Sequence, residues 1–282
     1  MKTMLTDAHC HPFDLYSYFP QAEEEREFFD VVAAASACDL DEFAYNEELS
    51  KKRAAENLAP LLLCFAVHPQ LPAVKTTNGE PLTNDELNNY LETLYNLAAA
   101  GRLSAVGECG FDLFNASFRE TEAVQDRIFS VHLETALRYD LPAVLHIRRA
   151  MHKIFANVKN LAKCRAVVFH SWPGTFDEGM SLLKHKVNAY FSFGNTIRNG
   201  HKHAMHCCAR FPAERFLTET DAPFQPLRGQ NFSCWTDLPH IIEKAASLRN
   251  VPAKELETQI ENNFKKVFKT SNREQENKIT SL

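Results

Sequence analysis

The chain has 282 residues, 45% hydrophobic and 24% charged, with a net charge of −5. These proportions describe a globular protein with a sizeable core and exclude a disordered chain or the strongly basic footprint of a protein that coats nucleic acid. No apolar run approaches the roughly 18–20 residues needed to cross a bilayer, which excludes a membrane-spanning helix.

In chain order, apolar strand-like runs fall near residues 3–7, 31–37, 61–67, 104–109, 142–147, 166–170, 188–193 and 215–219. Amphipathic or charged stretches lie between them, including residues 23–29, 40–58, 85–100 and 118–139. In the last of these, Val124, Ile128, Val131, Leu133, Ala136 and Leu137 recur at helical spacing. Strand followed by helix, about eight times over, predicts βα units and a parallel sheet. The strand runs are continuously apolar rather than alternating, as expected when both faces are buried. Gly101, Leu141-Pro142 and Phe211-Pro212 mark unit boundaries. Two further helices are predicted over 235–249 and 253–269, broken at Val251-Pro252 and packed over the sheet wall. The fold class read from this pattern is α/β: a (β/α)8 TIM barrel, one domain over residues 1–270 with extra C-terminal helices. A polar tail, 271–282, is expected to fray.

Eight cysteines are scattered without a CxxC pair and read as reduced, buried small hydrophobes. The first residues run into a strand without a signal-peptide pattern, so a cytoplasmic location is expected.

Five of the apolar runs end on a metal-type ligand. These ends are Asp7-Ala-His9-Cys-His11, Gly107-Glu108, Leu145-His146, Phe169-His170 and Thr220-Asp221. Residues this far apart converge only if the strands lie side by side and run the same way, as in a parallel barrel with its site at the strand C-termini. His9 and His11, two apart in an extended segment, point to one side and can grip one ion. Glu108 at the mouth of a central strand is costly unless paired or ligated, and its two oxygens can bridge two cations. A buried ion pair with Arg148 or Arg149 is the alternative. His146 and His170 end successive apolar strands. Asp221 fits either a last ligand or the base that takes a proton from an activated water, with Glu219 orienting a ligand. His68, before Pro69, is either a phosphate contact or a loop-capping histidine. Nitrogen and carboxylate donors suit divalent metals, and four imidazoles favour Zn²⁺, Mn²⁺ or Fe²⁺ over the oxygen-seeking Mg²⁺ without choosing among them.

Cationic residues follow several of the same strands: Arg148, Arg149, His152 and Lys153, then Arg198, His201, Lys202 and His203, then Arg228. Together they form either a basic collar that draws a polyanion to the mouth or ordinary solvated loops. The histidines at 201, 203 and 206 read as the start of a helix rather than a second metal site. Trp172, Phe193 and Phe224 are positioned either to stack on nucleobases or to pack as core.

Asp7-x-His9-x-His11, Gly107-Glu108-x-Gly110-x-Asp112, His146-x-Arg148, His170-x-x-x-Gly174 and Glu219-Thr220-Asp221-x-Pro223 resemble, in order and spacing, the TatD family of metal-dependent deoxyribonucleases. A weaker match, Asn263-Phe264-x-x-x-Phe268, extends the resemblance over nearly the whole chain. It implies an amidohydrolase-type barrel with two divalent metal ions. His9, His11, Glu108 and Asp221 would hold one ion, and Glu108, His146 and His170 the second. Arg148 would contact the substrate phosphate. The implied activity is hydrolysis of DNA phosphodiester bonds by a metal-activated water, with Asp221 and Glu108 catalytic. Phe111 stands where the family usually has Leu, and Ser171-Trp172-Pro173 where it has Cys-Phe-Ser or similar. The segment 71–83 is longer than expected. These departures bear on substrate preference. The rival readings are a hydrolase of small esters, lactones or amides on the same barrel, and a non-catalytic metal or nucleic-acid binder. DNA is the expected partner, with no membrane and no obligate protein partner.

Overall fold

All eight apolar runs form strands in the computed structural model, which describes residues 4–74 and 80–270. The first half of the chain runs β1 (Leu5–Cys10), α1 (Pro12–Tyr18), α2 (Ala22–Phe29), β2 (Val31–Ala37), α3 (Leu40–Ala55), β3 (Leu61–Phe65), α4 (Asn84–Ala99) and β4 (Ala105–Asp112). Next come α5 (Ala116–Glu120), α6 (Glu122–Arg138), β5 (Ala143–Arg148), α7 (Met151–Ala156), α8 (Val158–Leu161) and β6 (Val167–Phe169). The last part holds α9 (Phe176–Lys184), β7 (Ala189–Phe193), α10 (Lys202–Arg210), β8 (Phe216–Thr218), α11 (Asp237–Arg249) and α12 (Ala253–Phe268). The helix expected over 118–139 is divided at Thr121, which ends α5 and begins α6. The expected tail, 271–282, and residues 75–79 of the long segment lie outside the described residues.

The sheet order is β1 to β8 in sequence order and every neighbouring pair is parallel. The segment just after β8 closes the ring against β1. There the Asp221 N–H donates to the His9 carbonyl at 3.0 Å and the His11 N–H to the Ala222 carbonyl at 2.8 Å. Asp7 reinforces the seam, its carboxylate accepting from the Thr220 N–H at 3.0 Å and hydroxyl at 2.5 Å.

Side chains alternate between two apolar layers. One set, with Ala8, Val32, Ala34, Cys64, Ala105, Val144, Val168, Tyr190 and Leu217, forms a cluster of its own. The other set, with Val31, Ala35, Phe65, Val106, Leu145, Phe169 and Phe191, meets the helices. Val144 and Val168 lie two residues before His146 and His170, so the candidate ligands stand on the first cluster. α12 adds Phe264, Val267 and Phe268 to this cluster. Asn263 pins that helix to the start of β8, donating to the carbonyls of Ala213 at 2.7 Å and Phe216 at 2.8 Å. The site and α12 therefore lie at opposite ends of β8. Among the described residues, no helix is long and apolar enough to cross a membrane.

Candidate metal centre

Glu108 is the hub. The β4–β5 register slips between Val106 and Cys109, and the β1–β2 register slips between Asp7 and Cys10, so β4 and β1 are irregular where they carry Glu108 and His9. Glycine is required on either side of Glu108. A side chain at Gly107 would strike Val144. At Gly110 (φ +138°) it would strike the His146 carbonyl in a conformation that L residues rarely adopt.

The two carboxylate oxygens of Glu108 face different partners. Oε2 lies 3.2 Å from His9 Nε2 and 3.4 Å from His11 Nε2. Oε1 lies 2.7 Å from His146 Nδ1, 2.9 Å from His170 Nε2 and 3.6 Å from His68 Nε2. Asp221 Oδ1 joins the first group, at 3.5 Å from His9 Nε2 and 3.7 Å from His11 Nε2. His9 Nε2 and His11 Nε2 converge to 3.1 Å. The ligand atoms fall into three overlapping sets: His9, Glu108 and His170; His9, His11 and Asp221; His68, Glu108 and His146. The fold thus gathers all six expected residues in one place, together with His68, which the sequence left undecided.

A second ring of polar contacts aims these side chains. Ser36 Oγ lies 3.1 Å from His9 Nδ1, and Glu219 Oε1 lies 3.3 Å from His170 Nδ1 while accepting from the Ser171 N–H at 2.6 Å. Asp112 Oδ2 meets His146 Nε2 at 3.1 Å and accepts from Gln70 Nε2 at 2.7 Å. Gln225 Nε2 donates to Asp221 Oδ2 at 2.7 Å. Gln70 and Gln225 carried no signal in the sequence, because a polar residue a few positions past a strand looks like any loop residue.

Charge dominates the pocket. Burial alone would raise the Glu108 carboxyl, but the imidazoles of His170, His9, His68 and His146 outweigh it and hold it well below the usual range. His170 and His146 are pulled the other way: burial lowers them, and Glu108 more than restores the loss. His11 rises to about 9, where Glu108 and Asp221 overcome burial. Without a cation, protonated imidazoles must balance buried carboxylates. A divalent ion supplies the same positive charge to the same donor atoms and releases those protons. This donor set therefore fits divalent metal.

The other expected contributors separate. Arg148 is exposed at the mouth, 3.6 Å from Asp112 Oδ2, and it does not form the ion pair with Glu108 considered as an alternative. Arg198 is engaged by Asp237 at 2.5 Å and by Asn195 Oδ1 at 2.9 Å. Lys153 is paired with Glu122 and Asp126. The collar thus reduces to Arg148, Arg149, Lys202 and Arg228 as exposed cations. His201, His203 and His206 are exposed around α10 and join no ligand set among the described residues. Trp172 (4% exposed) and Phe193 (1%) are core, whereas Phe224 is 55% exposed.

A parallel (β/α)8 ring with imidazoles and carboxylates crowded at its strand ends defines a metal-dependent barrel hydrolase. Residues 6–269 match the family described as TatD related DNase. A protein of Erwinia tasmaniensis named 3′-5′ ssDNA/RNA exonuclease TatD is 32% identical over 185 residues, 62% of this chain and 70% of that one. An uncharacterized metal-dependent hydrolase of Mycoplasma pneumoniae is 27% identical over 274 residues, 93% of this chain and 98% of that protein. The crystal structure of YjjV, a TatD homologue from Escherichia coli K12, superposes with a TM-score of 0.79 at 26% identity, covering 95% of this chain and 98% of that one. The chain belongs to the TatD related DNase family and is a metal-dependent hydrolase of that family.

Proposed function

We propose that this chain hydrolyses phosphodiester bonds in DNA, with two divalent ions held in the pocket and residues 1–270 acting as one catalytic unit. The observation that carries the reading is the division of Glu108, whose two oxygens face separate groups of imidazoles. His9, His11, Glu108 and Asp221 would hold one ion, and Glu108, His146 and His170 the other. Divalent ions supply charge neutralisation to a phosphate and make a water acidic enough to attack near neutral pH.

The chain's own side chains do the rest. Gln225 fixes Asp221 Oδ2 and leaves Oδ1 toward the pocket, so the Asp221 carboxylate is poised to accept the proton that the attacking water loses. Arg148 binds a non-bridging phosphoryl oxygen, since a guanidinium fits phosphate oxygens in pairs. Arg198 has no part in this, because Asp237 already holds it. His68 stands beside the Oε1 group, where its side chain can touch the ion or the phosphate. The buried free thiols support a reducing, cytoplasmic location.

The test is a nuclease assay on labelled single-stranded and duplex oligonucleotides with metal-stripped protein and a metal series. Cleavage that disappears on stripping and returns with a divalent ion supports the reading. Undiminished cleavage after metal removal ends it. Turnover of small carboxylic esters or lactones, with nucleic acid untouched under every metal, would replace it with the carbonyl-hydrolase reading.

A further inference from the structure

Large apolar side chains are exposed on the catalytic face in a particular pattern. Phe224 lies in the turn after β8, three residues past Asp221, and is more exposed than most phenylalanines of this chain. Its N–H donates to the Asp221 carbonyl at 2.7 Å, and its ring centroid lies 5.1 Å from that of His11 at an interplanar angle of 72°. The ring is thus fixed edge-on to a residue of the pocket while much of its surface faces solvent.

Phe114, 42% exposed, follows β4. The Arg148 guanidinium lies 4.0 Å from its ring centroid and that of Arg149 lies 4.6 Å away. Asp112 ties this stack to the pocket: Oδ1 accepts from the Phe114 N–H at 2.9 Å, and Oδ2 faces both Arg148 and His146. In a ring of eight strands taken in sequence order, β4 and β8 are four places apart and so lie across the mouth from each other. One planar group, Phe224, therefore flanks the pocket on one side and another, the Arg148–Phe114 stack, flanks it on the opposite side.

We propose that Phe224 and the Arg148–Phe114 stack are two nucleobase platforms, holding the bases on either side of the bound phosphate. Every base has an apolar face, and aromatic rings and guanidinium planes both stack on it without regard to sequence. A strand whose phosphate sits over the Glu108 cluster would lay its neighbouring bases on Phe224 and on the guanidinium of Arg148, which also reaches the phosphate. Bases inside a duplex are already stacked on one another and cannot occupy either platform. The inference rests on the nuclease reading above and deepens it.

The experiment measures binding of hydrolysis-resistant, phosphorothioate-linked labelled single strands to the metal-loaded protein by fluorescence anisotropy. Three strands are compared: an unmodified single strand, one carrying abasic sites near its end, and a blunt duplex. Abasic sites should weaken binding to the wild-type protein by about tenfold or more, a result that needs no variant. Phe224→Ala should weaken the unmodified strand by a similar factor, Phe224→Trp should restore it, and the abasic strand should lose little more in Phe224→Ala, since base and ring remove the same contact. Phe114→Ala should behave in the same way. Equal affinity for unmodified and abasic strands, or a Phe224→Ala loss that is the same for duplex and single strand, overturns the proposal. The stacking pattern without cleavage under any metal removes the nuclease reading and leaves the platforms standing. Cleavage without the pattern does the reverse, and no binding of any strand removes both.

Discussion

Two glycines and one carboxylate set the chemistry at the smallest scale. Glu108 can divide its oxygens between two groups of imidazoles because Gly107 lets β4 press against Val144 and Gly110 lets it pass under the His146 carbonyl. Gly110→Ala should cost about 3 kcal/mol or more, from forbidden backbone conformation plus a main-chain collision. A urea unfolding curve with the midpoint of the wild-type protein would refute that. Asp221 differs from the imidazoles in being held by a neutral amide, that of Gln225, so its amide counterpart fits the same space. Asp221→Asn should therefore keep the ion proposed for Glu108, His146 and His170, measured by elemental analysis, yet lose roughly 10²- to 10⁴-fold in kcat as the proton acceptor disappears. Wild-type turnover in that variant would remove Asp221 from the role of base.

Elements are coupled by a few buried contacts that pH and truncation can probe. His132 of α6 is fully buried, and its Nε2 accepts from the Val67 N–H at 3.0 Å, tying the helix to the chain leaving β3. Burial pushes its pKa down to about 3, so the folded protein keeps this ring neutral. Below pH 6.5 the unfolded chain takes up a proton that the folded one refuses. The contribution to stability is intact above pH 6.5 and falls progressively between there and about pH 3, by on the order of 5 kcal/mol. His132→Gln should be less stable at pH 7 but lose less on acidification. Parallel pH profiles of unfolding free energy for the two proteins would contradict this. At the other end of the barrel, Phe264 of α12 is buried against the inner cluster, and Phe264→Ala should cost about 3–5 kcal/mol in urea unfolding.

The same scale explains what could be read in advance. Strands with both faces buried are mostly apolar, so β2, β5 and β6 stood out in the sequence, and ligands at the ends of five of the eight runs marked the pocket. The pairing of Arg198 with Asp237 links residues 39 apart and leaves no trace in local pattern. Nor could pattern separate Phe224 from Phe193, since both end or follow a strand and only the turn around Pro223 decides which one faces solvent. His68 was ambiguous for a similar reason: a histidine before proline at a strand end looks the same whether it caps a loop or borders a pocket.

For the molecule as a whole, the pocket stores electrostatic tension that a cation relieves. Buried carboxylates and imidazoles from β1, β4, β5, β6 and the turn after β8 meet there, so an ion bound there couples most of the ring. Saturation at a hundred times Kd should add about 2.7 kcal/mol to stability, and more for two ions. For a domain of this size that corresponds to a rise in Tm of roughly 5–10 °C, reversed by a chelator. Scanning calorimetry of stripped and reloaded protein would test it, and identical transitions would mean that the cluster holds no ion.

The seam joining Asp7 and His9 to Thr220 and Asp221 makes the earliest-translated strand wait for the latest. While the ribosome is still at work, the nascent polypeptide has an open edge at β1 and an incomplete pocket. Hydrolytic competence would then switch on only once synthesis has passed the last strand, so unfinished chains released by premature termination should have no hydrolytic activity.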